Sequence, residues 1–135
     1  MPSVDEIRET FSFLDDWEDR YRFILDLGKS IPVLPEQDKL EQNLVRGCQS
    51  QVWLVARQED QKLSLSIDSD AHIVRGLIAI VLSVYQGKSA KEIQDYPIES
   101  LFEELNLLQH LSPTRGNGLR AMVARIRQEA HTYSV

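Results

Sequence analysis

Ile73, Val74, Leu77, Ile78, Ile80, Val81, Leu82, Val84 and Tyr85 cover most of the circumference of a helix. A helix apolar all round must be surrounded by protein. The run falls short of the roughly 20 apolar residues a bilayer span needs, so a buried central helix is expected. Asp70 stands where an N-cap would, the helix is expected from Ala71 to about Gln86, and Gly87 is its stop. Upstream, Lys62–Ser69 alternates, with Leu63, Leu65 and Ile67 on one side and Ser64, Ser66 and Asp68 on the other. Gln51–Gln58 reads as a partner strand across a Glu59-Asp60-Gln61 turn. Leu44–Arg46 is a candidate for a short third strand. A lone hairpin is only marginally stable and needs a packing partner. The expected fold is therefore α+β, a small antiparallel sheet of two to three strands packed against several helices. Residues 1–135 suffice for a single domain with a real core.

The flanks read as shorter helices. Ser3 and Glu6 have capping-box spacing, with Val4, Ile7, Phe11 and Leu14 as the apolar stripe that follows. Asp15 and Asp16 can cap a second helix that carries Trp17, Tyr21, Ile24 and Leu25 and stops at Gly28. Trp17 and Tyr21 are read as packing residues. Ile31–Pro35 is a loop stiffened by Pro32 and Pro35. Glu36–Gln42 is polar, either a short helical turn or a mobile lead into the next segment. Ser89 and Glu92 form a second capping box, for a helix to about Asp95. Ser100 and Glu103 repeat the signal for Leu101–Asn106. His110–Gly118 reads as a polar loop, and Leu119–Thr132 as a last helix with Arg120, Arg125 and Arg127 outward.

Net charge is −6, whereas nucleic-acid binding needs a concentrated basic face. The opening Met1-Pro2-Ser3-Val4-Asp5-Glu6 lacks the basic-then-apolar pattern of a secretory signal. There is one cysteine, so no intramolecular disulfide can form, and a free thiol suits a reducing compartment. A cytoplasmic protein without nucleic-acid or membrane partners is expected.

That cysteine, Cys48, follows Gly47 and precedes Gln49-Ser50-Gln51, and only then does the apolar strand begin. Free cysteines are usually inert and embedded among apolar neighbours. These polar and glycine flanks place Cys48 on a loop or strand edge at the lip of the core, where a thiol can be sheltered and still reach a partner. Arg46 is near enough in sequence to favour its thiolate.

Gly47-Cys48-Gln49-Ser50-Gln51-Val52-Trp53 resembles the signature of the SufE family of sulfur-acceptor proteins. Further blocks resemble that family in the same order: Trp17-Glu18-Asp19-Arg20-Tyr21, Leu27-Gly28, Asp68-Ser69-Asp70-Ala71, Ile73-Val74-Arg75-Gly76-Leu77, His110-Leu111-Ser112-Pro113-Thr114-Arg115 and Gly118-Leu119. The resemblance spans about Trp17 to Ala130 and fits both SufE proper and its CsdE-type relative. It implies an α+β fold similar to the iron–sulfur scaffold IscU. It also implies a carrier that takes sulfur from the persulfide of a pyridoxal-phosphate cysteine desulfurase (SufS- or CsdA-like), stimulates that enzyme and passes sulfur to an Fe–S scaffold complex. Carried over by motif, Cys48 is the persulfide-bearing residue. Arg115 is a supporting candidate, against a plain solvated loop arginine. His110 is a base or donor candidate, with a structural cap the stronger reading. Gly47, Gln49 and Asp70 complete the candidates, Asp70 as a helix cap first and a contact residue second. One cysteine is too few to ligate a cluster, and no lysine motif marks a pyridoxal-phosphate site, so no cofactor or metal of its own is expected. A homodimer is compatible with the sequence.

A competing reading is an adaptor that regulates a desulfurase by docking, with Cys48 structural. A thiol peroxidase is disfavoured because no resolving cysteine is present.

Overall fold

The computed structural model describes residues 1–133 and places seven helices around one hairpin. α1 (Val4–Phe13) starts at the expected capping box: Ser3 Oγ accepts from Glu6 N at 3.2 Å, and Glu6 Oε1 accepts from Ser3 N at 3.1 Å. α2 (Trp17–Gly28) is capped by Asp16, which accepts from Asp19 N at 3.1 Å. Gly28 is not a stop, because it keeps helical geometry and the cap falls on Lys29. A Cβ on Gly28 would lie 2.7 Å from Gly76 N, and one on Gly76 would lie 2.7 Å from the Ile24 carbonyl carbon and closer still to its oxygen. The two glycines let α2 meet the central helix backbone to backbone.

The polar lead, residues 36–43, forms two 3₁₀ turns, Glu36–Asp38 and Glu41–Asn43. β1 (Val52–Glu59) and β2 (Lys62–Ser69) pair antiparallel from Val52 opposite Ser69 to Glu59 opposite Lys62. Asp60 and Gln61 turn the chain with φ of +50° and +66°, the left-handed pair that matches strand twist in a two-residue hairpin. The third strand reduces to a single bridge, Leu44 to Trp53, with Val45 N donating to Val52 O at 2.8 Å. The chain then turns away at Gly47, so pairing cannot continue. The outer edge of β2 is covered as well. The Gln86 amide brackets Leu65, accepting from its N–H and donating to its C=O at 2.7 Å each.

α3 (His72–Tyr85) is the central helix, buried from Ile73 to Tyr85 apart from the part-covered Val74, Arg75 and Ser83. Its N-cap is Ala71, not Asp70, and no side chain caps it. α4 (Ala90–Asp95) begins at the Ser89–Glu92 capping box. α5 (Ile98–Glu104) starts after Pro97, so Ser100 falls inside its first turn instead of capping it. Asn106, at φ +55°, separates α5 from the one-turn α6 (Leu107–His110).

The expected His110–Gly118 loop is mostly helix, because α7 runs from Pro113 to Tyr133. Proline suits a first helical position, where no N–H is needed. Ser112 Oγ accepts from Arg115 N at 3.2 Å, the role of a capping side chain. Two of the expected outward arginines are tied down. Arg125 donates to Leu44 O at 3.0 Å and Gln42 O at 3.2 Å, and Arg127 pairs with Glu99 at 2.8 Å. α7 is thereby fastened to the segment leading to Cys48.

A buried ion pair closes the far end of the hairpin. Asp68, 2% exposed, binds the Arg75 guanidinium and accepts from Leu34 N at 2.9 Å and Ser69 N at 2.8 Å. Arg75 also donates to Ile31 O at 3.0 Å, so β2, α3 and the proline loop share one node.

Candidate functional site

Cys48 lies on the turn between the Leu44 bridge and β1. Gly47 is required there twice over: its φ is +93°, and a Cβ would press to 3.2 Å from Ala121 Cβ on α7. On the far side of the turn, Asp70 and Gln51 clasp each other. Gln51 N donates to Asp70 Oδ1 at 3.1 Å, and Asp70 N donates to Gln51 O at 3.3 Å. The carboxylate expected at the start of the helix is spent on the cysteine loop, a correction to its reading as a cap.

The half-buried Cys48 thiol points back toward α7, and its Sγ donates to the Gly118 carbonyl at 3.5 Å. Beside it lies a cavity of about 90 Å³. Val52, Val74, Leu77, Leu119 and Met122 form its apolar walls, contributed by β1, α3 and α7. Gln49, Ser50, Thr114 and Arg115 form the polar part of its lining. Arg115 therefore joins Cys48 and Gln49 at one site, held by the first turn of α7.

Burial pushes the Cys48 thiol pKa up. Arg46 does not offset this: its side chain is exposed and lies 3.8 Å from Glu41. At rest the sulfur is a protonated hydrogen-bond donor. Greater exposure of the sulfur to water would favour its thiolate.

His110 is not among the residues lining the cavity. Its ring stacks on Trp17, with centroids 4.2 Å apart and planes at 23°, and Nδ1 bonds Asn106 O at 3.0 Å. These contacts tie α6 to α2. Trp17 packs edge-on against Phe11 as well, at 6.3 Å. Among the described residues, no three His, Cys, Asp or Glu side chains converge where a metal ion could be held. No helix there is long and apolar enough to cross a membrane.

Besides Cys48, Gln49 and Arg115, none of the lining residues is a candidate on the sequence alone. Val52, Val74, Leu77, Leu119 and Met122 read there only as strand or helix core. Gly118 carries a signal, a glycine next to the apolar positions Leu119 and Met122, but its composition reads as loop.

The family model described as SufE, Fe-S metabolism associated domain, matches residues 5–130. The chain belongs to the SufE family. It is 49% identical to an uncharacterized SufE-like protein of Rhizobium meliloti, over 96% of both chains. It is 52% identical to an uncharacterized SufE-like protein of Rhizobium etli, over 96% of this chain and 90% of the other. The solution structure of a hypothetical protein from Thermus thermophilus superimposes with a TM-score of 0.78 at 22% identity, covering 96% of this chain and 94% of that one. That likeness carries the fold alone. SufE membership places this chain in Fe–S metabolism.

Proposed function

We propose that Cys48 is a sulfur acceptor: it takes the outer sulfur of a cysteine persulfide on a pyridoxal-phosphate cysteine desulfurase and carries it toward Fe–S cluster assembly. The observation that carries this reading is the chain's one cysteine, on a loop that turns at Gly47 over a cavity walled by β1, α3 and α7. In the transfer, the Cys48 thiolate attacks the donor's outer sulfur. A new S–S bond forms to Sγ while the donor's S–S bond breaks, and the electron pair leaves on the donor thiolate. The proton shed by Cys48 returns to that leaving group, so the exchange is redox-neutral. One cysteine suffices because the donor and final acceptor thiols belong to partners. Stimulation of the desulfurase follows from clearing its persulfide.

The attack geometry requires the loop to swing out about Gly47, since the resting thiol faces Gly118 O. Arg115, part of the cavity lining, is the proposed partner of the developing anionic sulfur or of an acidic patch on the desulfurase. The cytoplasm is the proposed compartment, and a downstream Fe–S scaffold complex the proposed recipient.

The resting thiol's raised pKa favours one second reading, a docking adaptor whose cysteine is structural. Incubation with an active cysteine desulfurase and L-cysteine, followed by intact-protein mass spectrometry without reductant, separates the two. The carrier gains sulfur that dithiothreitol removes, and Cys48→Ser gains none and no longer stimulates, though it still binds. Undiminished stimulation by Cys48→Ser, with no sulfur on the wild type, establishes the adaptor instead.

A further inference from the structure

Gly118 sits in the second turn of a long helix, at a position where any residue can adopt the backbone, for its φ is not positive. Glycine lowers helix propensity, so its presence there calls for a reason in the surroundings. The surroundings are the sulfur. A Cβ at this position would lie 3.5 Å from Cys48 Sγ and 3.8 Å from its Cα and Cβ. Those are ordinary van der Waals contacts, so alanine is compatible with the resting thiol.

It narrows the room for a longer side chain. The outer sulfur of a persulfide stands about 2.05 Å beyond Sγ and needs about 3.5 Å from a methyl carbon, so a methyl placed 3.5 Å from Sγ bars every S–S direction within roughly 70° of it. The cone matters where it crosses the circle that the fixed Cβ–S–S bond angle allows the outer sulfur. It opens toward Gly118, itself part of the cavity lining. The cavity holds about 90 Å³, and a water-sized group needs on the order of 10–15 Å³, so one added sulfur fits with Gly118 and the walls in place.

We propose that Gly118 is a positioning residue that keeps the cavity open for the outer sulfur of the Cys48 persulfide, so that the loaded carrier can re-close its loop. This rests on the sulfur-acceptor reading above and adds the residue that leaves the outer sulfur its room. The neighbouring Gly116 supplies the control. Its Cβ would meet Leu108 Cδ2 at 3.7 Å and Arg120 at 3.9 Å, with Cys48 not among its nearest atoms. Both alanine variants gain helix propensity, and only one intrudes on the sulfur.

The test is an exchange equilibrium, which reports relative stability independently of access. Full-length protein is equilibrated with glutathione persulfide and glutathione at a fixed ratio: Cys48–SH plus G–S–SH gives Cys48–S–SH plus GSH. Intact-mass spectrometry reads the persulfide-to-thiol ratio, and thermal melting of the thiol forms reports folding. Gly118→Ala is expected to lower the ratio about tenfold, the scale of overpacking one heavy atom, while Gly116→Ala matches wild type and neither variant melts below it. An unchanged ratio in Gly118→Ala, an equal fall in Gly116→Ala, or a lower melting point for the Gly118→Ala thiol form overturns the inference and leaves the sulfur-acceptor reading standing. A wild-type protein that takes sulfur neither here nor from a desulfurase overturns both.

Discussion

Replacing Asp70 by alanine should open the cysteine loop without unfolding the protein. The carboxylate accepts one backbone hydrogen bond, from Gln51 N at 3.1 Å, and Asp70 itself is exposed. A hydrogen bond of this kind contributes about 1 kcal/mol net, which is about a fivefold change in an equilibrium constant. The reciprocal bond, Asp70 N to Gln51 O, involves only backbone and survives. The closed loop should therefore lose about fivefold against the open one, while the core keeps its contacts. Alkylation of Cys48 by iodoacetamide reads this directly, provided the loop re-closes faster than it is alkylated, because the rate then scales with the open fraction. Loss of a negative charge also favours the open thiolate and would speed alkylation by itself. Asp70→Asn controls for that: it has the same charge as the alanine variant and retains a side-chain oxygen that can accept from Gln51 N. The expected order is alanine fastest, asparagine intermediate, wild type slowest. Equal rates for alanine and asparagine would show that charge, and not the clasp, holds the loop. Equal rates for alanine and wild type would remove Asp70 from the account altogether.

Two further outcomes follow from the packing and the burial of the thiol. Gly76→Ala should destabilise the protein by about 3 kcal/mol or more even though alanine gains up to about 1 kcal/mol of helix propensity, because the new methyl meets Ile24 backbone and rigid helices must part. Urea denaturation reads this, and an unshifted midpoint would mean that α2 and α3 can separate at little cost. The second outcome concerns pH. Burial raises the Cys48 pKa above its unfolded value, so the folded state binds that proton more tightly. The associated stability is present below the ordinary thiol range, about pH 8.5, and is lost as pH rises from there through the raised folded value. Wild type should lose stability relative to Cys48→Ala over that alkaline window, and parallel stability–pH curves would contradict the burial argument.

Local signals in the sequence survived where no distant group competed for the same atoms. The Ser3–Glu6 and Ser89–Glu92 boxes close within one turn, and both formed. Alternation in β2 held from Leu63 to Ile67 and broke at Asp68, buried against Arg75, while the all-round apolar helix held as a pattern of burial repeated over many residues. Asp70 failed as a cap because the N–H of Gln51, nineteen residues back, is its partner in the folded chain. Gly28 failed as a stop for a related reason: its missing side chain serves the approach of another helix, not a left-handed turn. The same confusion hid the start of α7. Ser112-Pro113 and two glycines have the composition of a loop, yet serine and proline also open helices, and Gly118 lies inside the helix against the cysteine. At the site, the cysteine and the glycine that turns its loop were legible from their neighbours. The cavity was not, because its walls come from three elements that meet only in the fold.

On the carrier reading, the burial that makes Cys48 a poor nucleophile at rest becomes part of the mechanism. A permanently exposed, activated thiolate would react with any oxidant or disulfide it met. Here the thiol is protonated, bonded to Gly118 O and backed by apolar walls, with Arg46 turned away to Glu41. Swinging out about Gly47 removes the desolvation that raises its pKa, so a single motion both exposes and activates the sulfur. Reactivity is then confined to the moments when the loop is out. A partner that binds the open loop holds it there by mass action, with no new chemical group required at the site. After transfer, the sulfur chain is one atom longer, and the loop can return only if that atom has somewhere to go. Storage of the outer sulfur beside Gly118 and exposure of the thiol at Gly47 are thus two ends of one cycle, and a carrier built this way needs both glycines for different reasons.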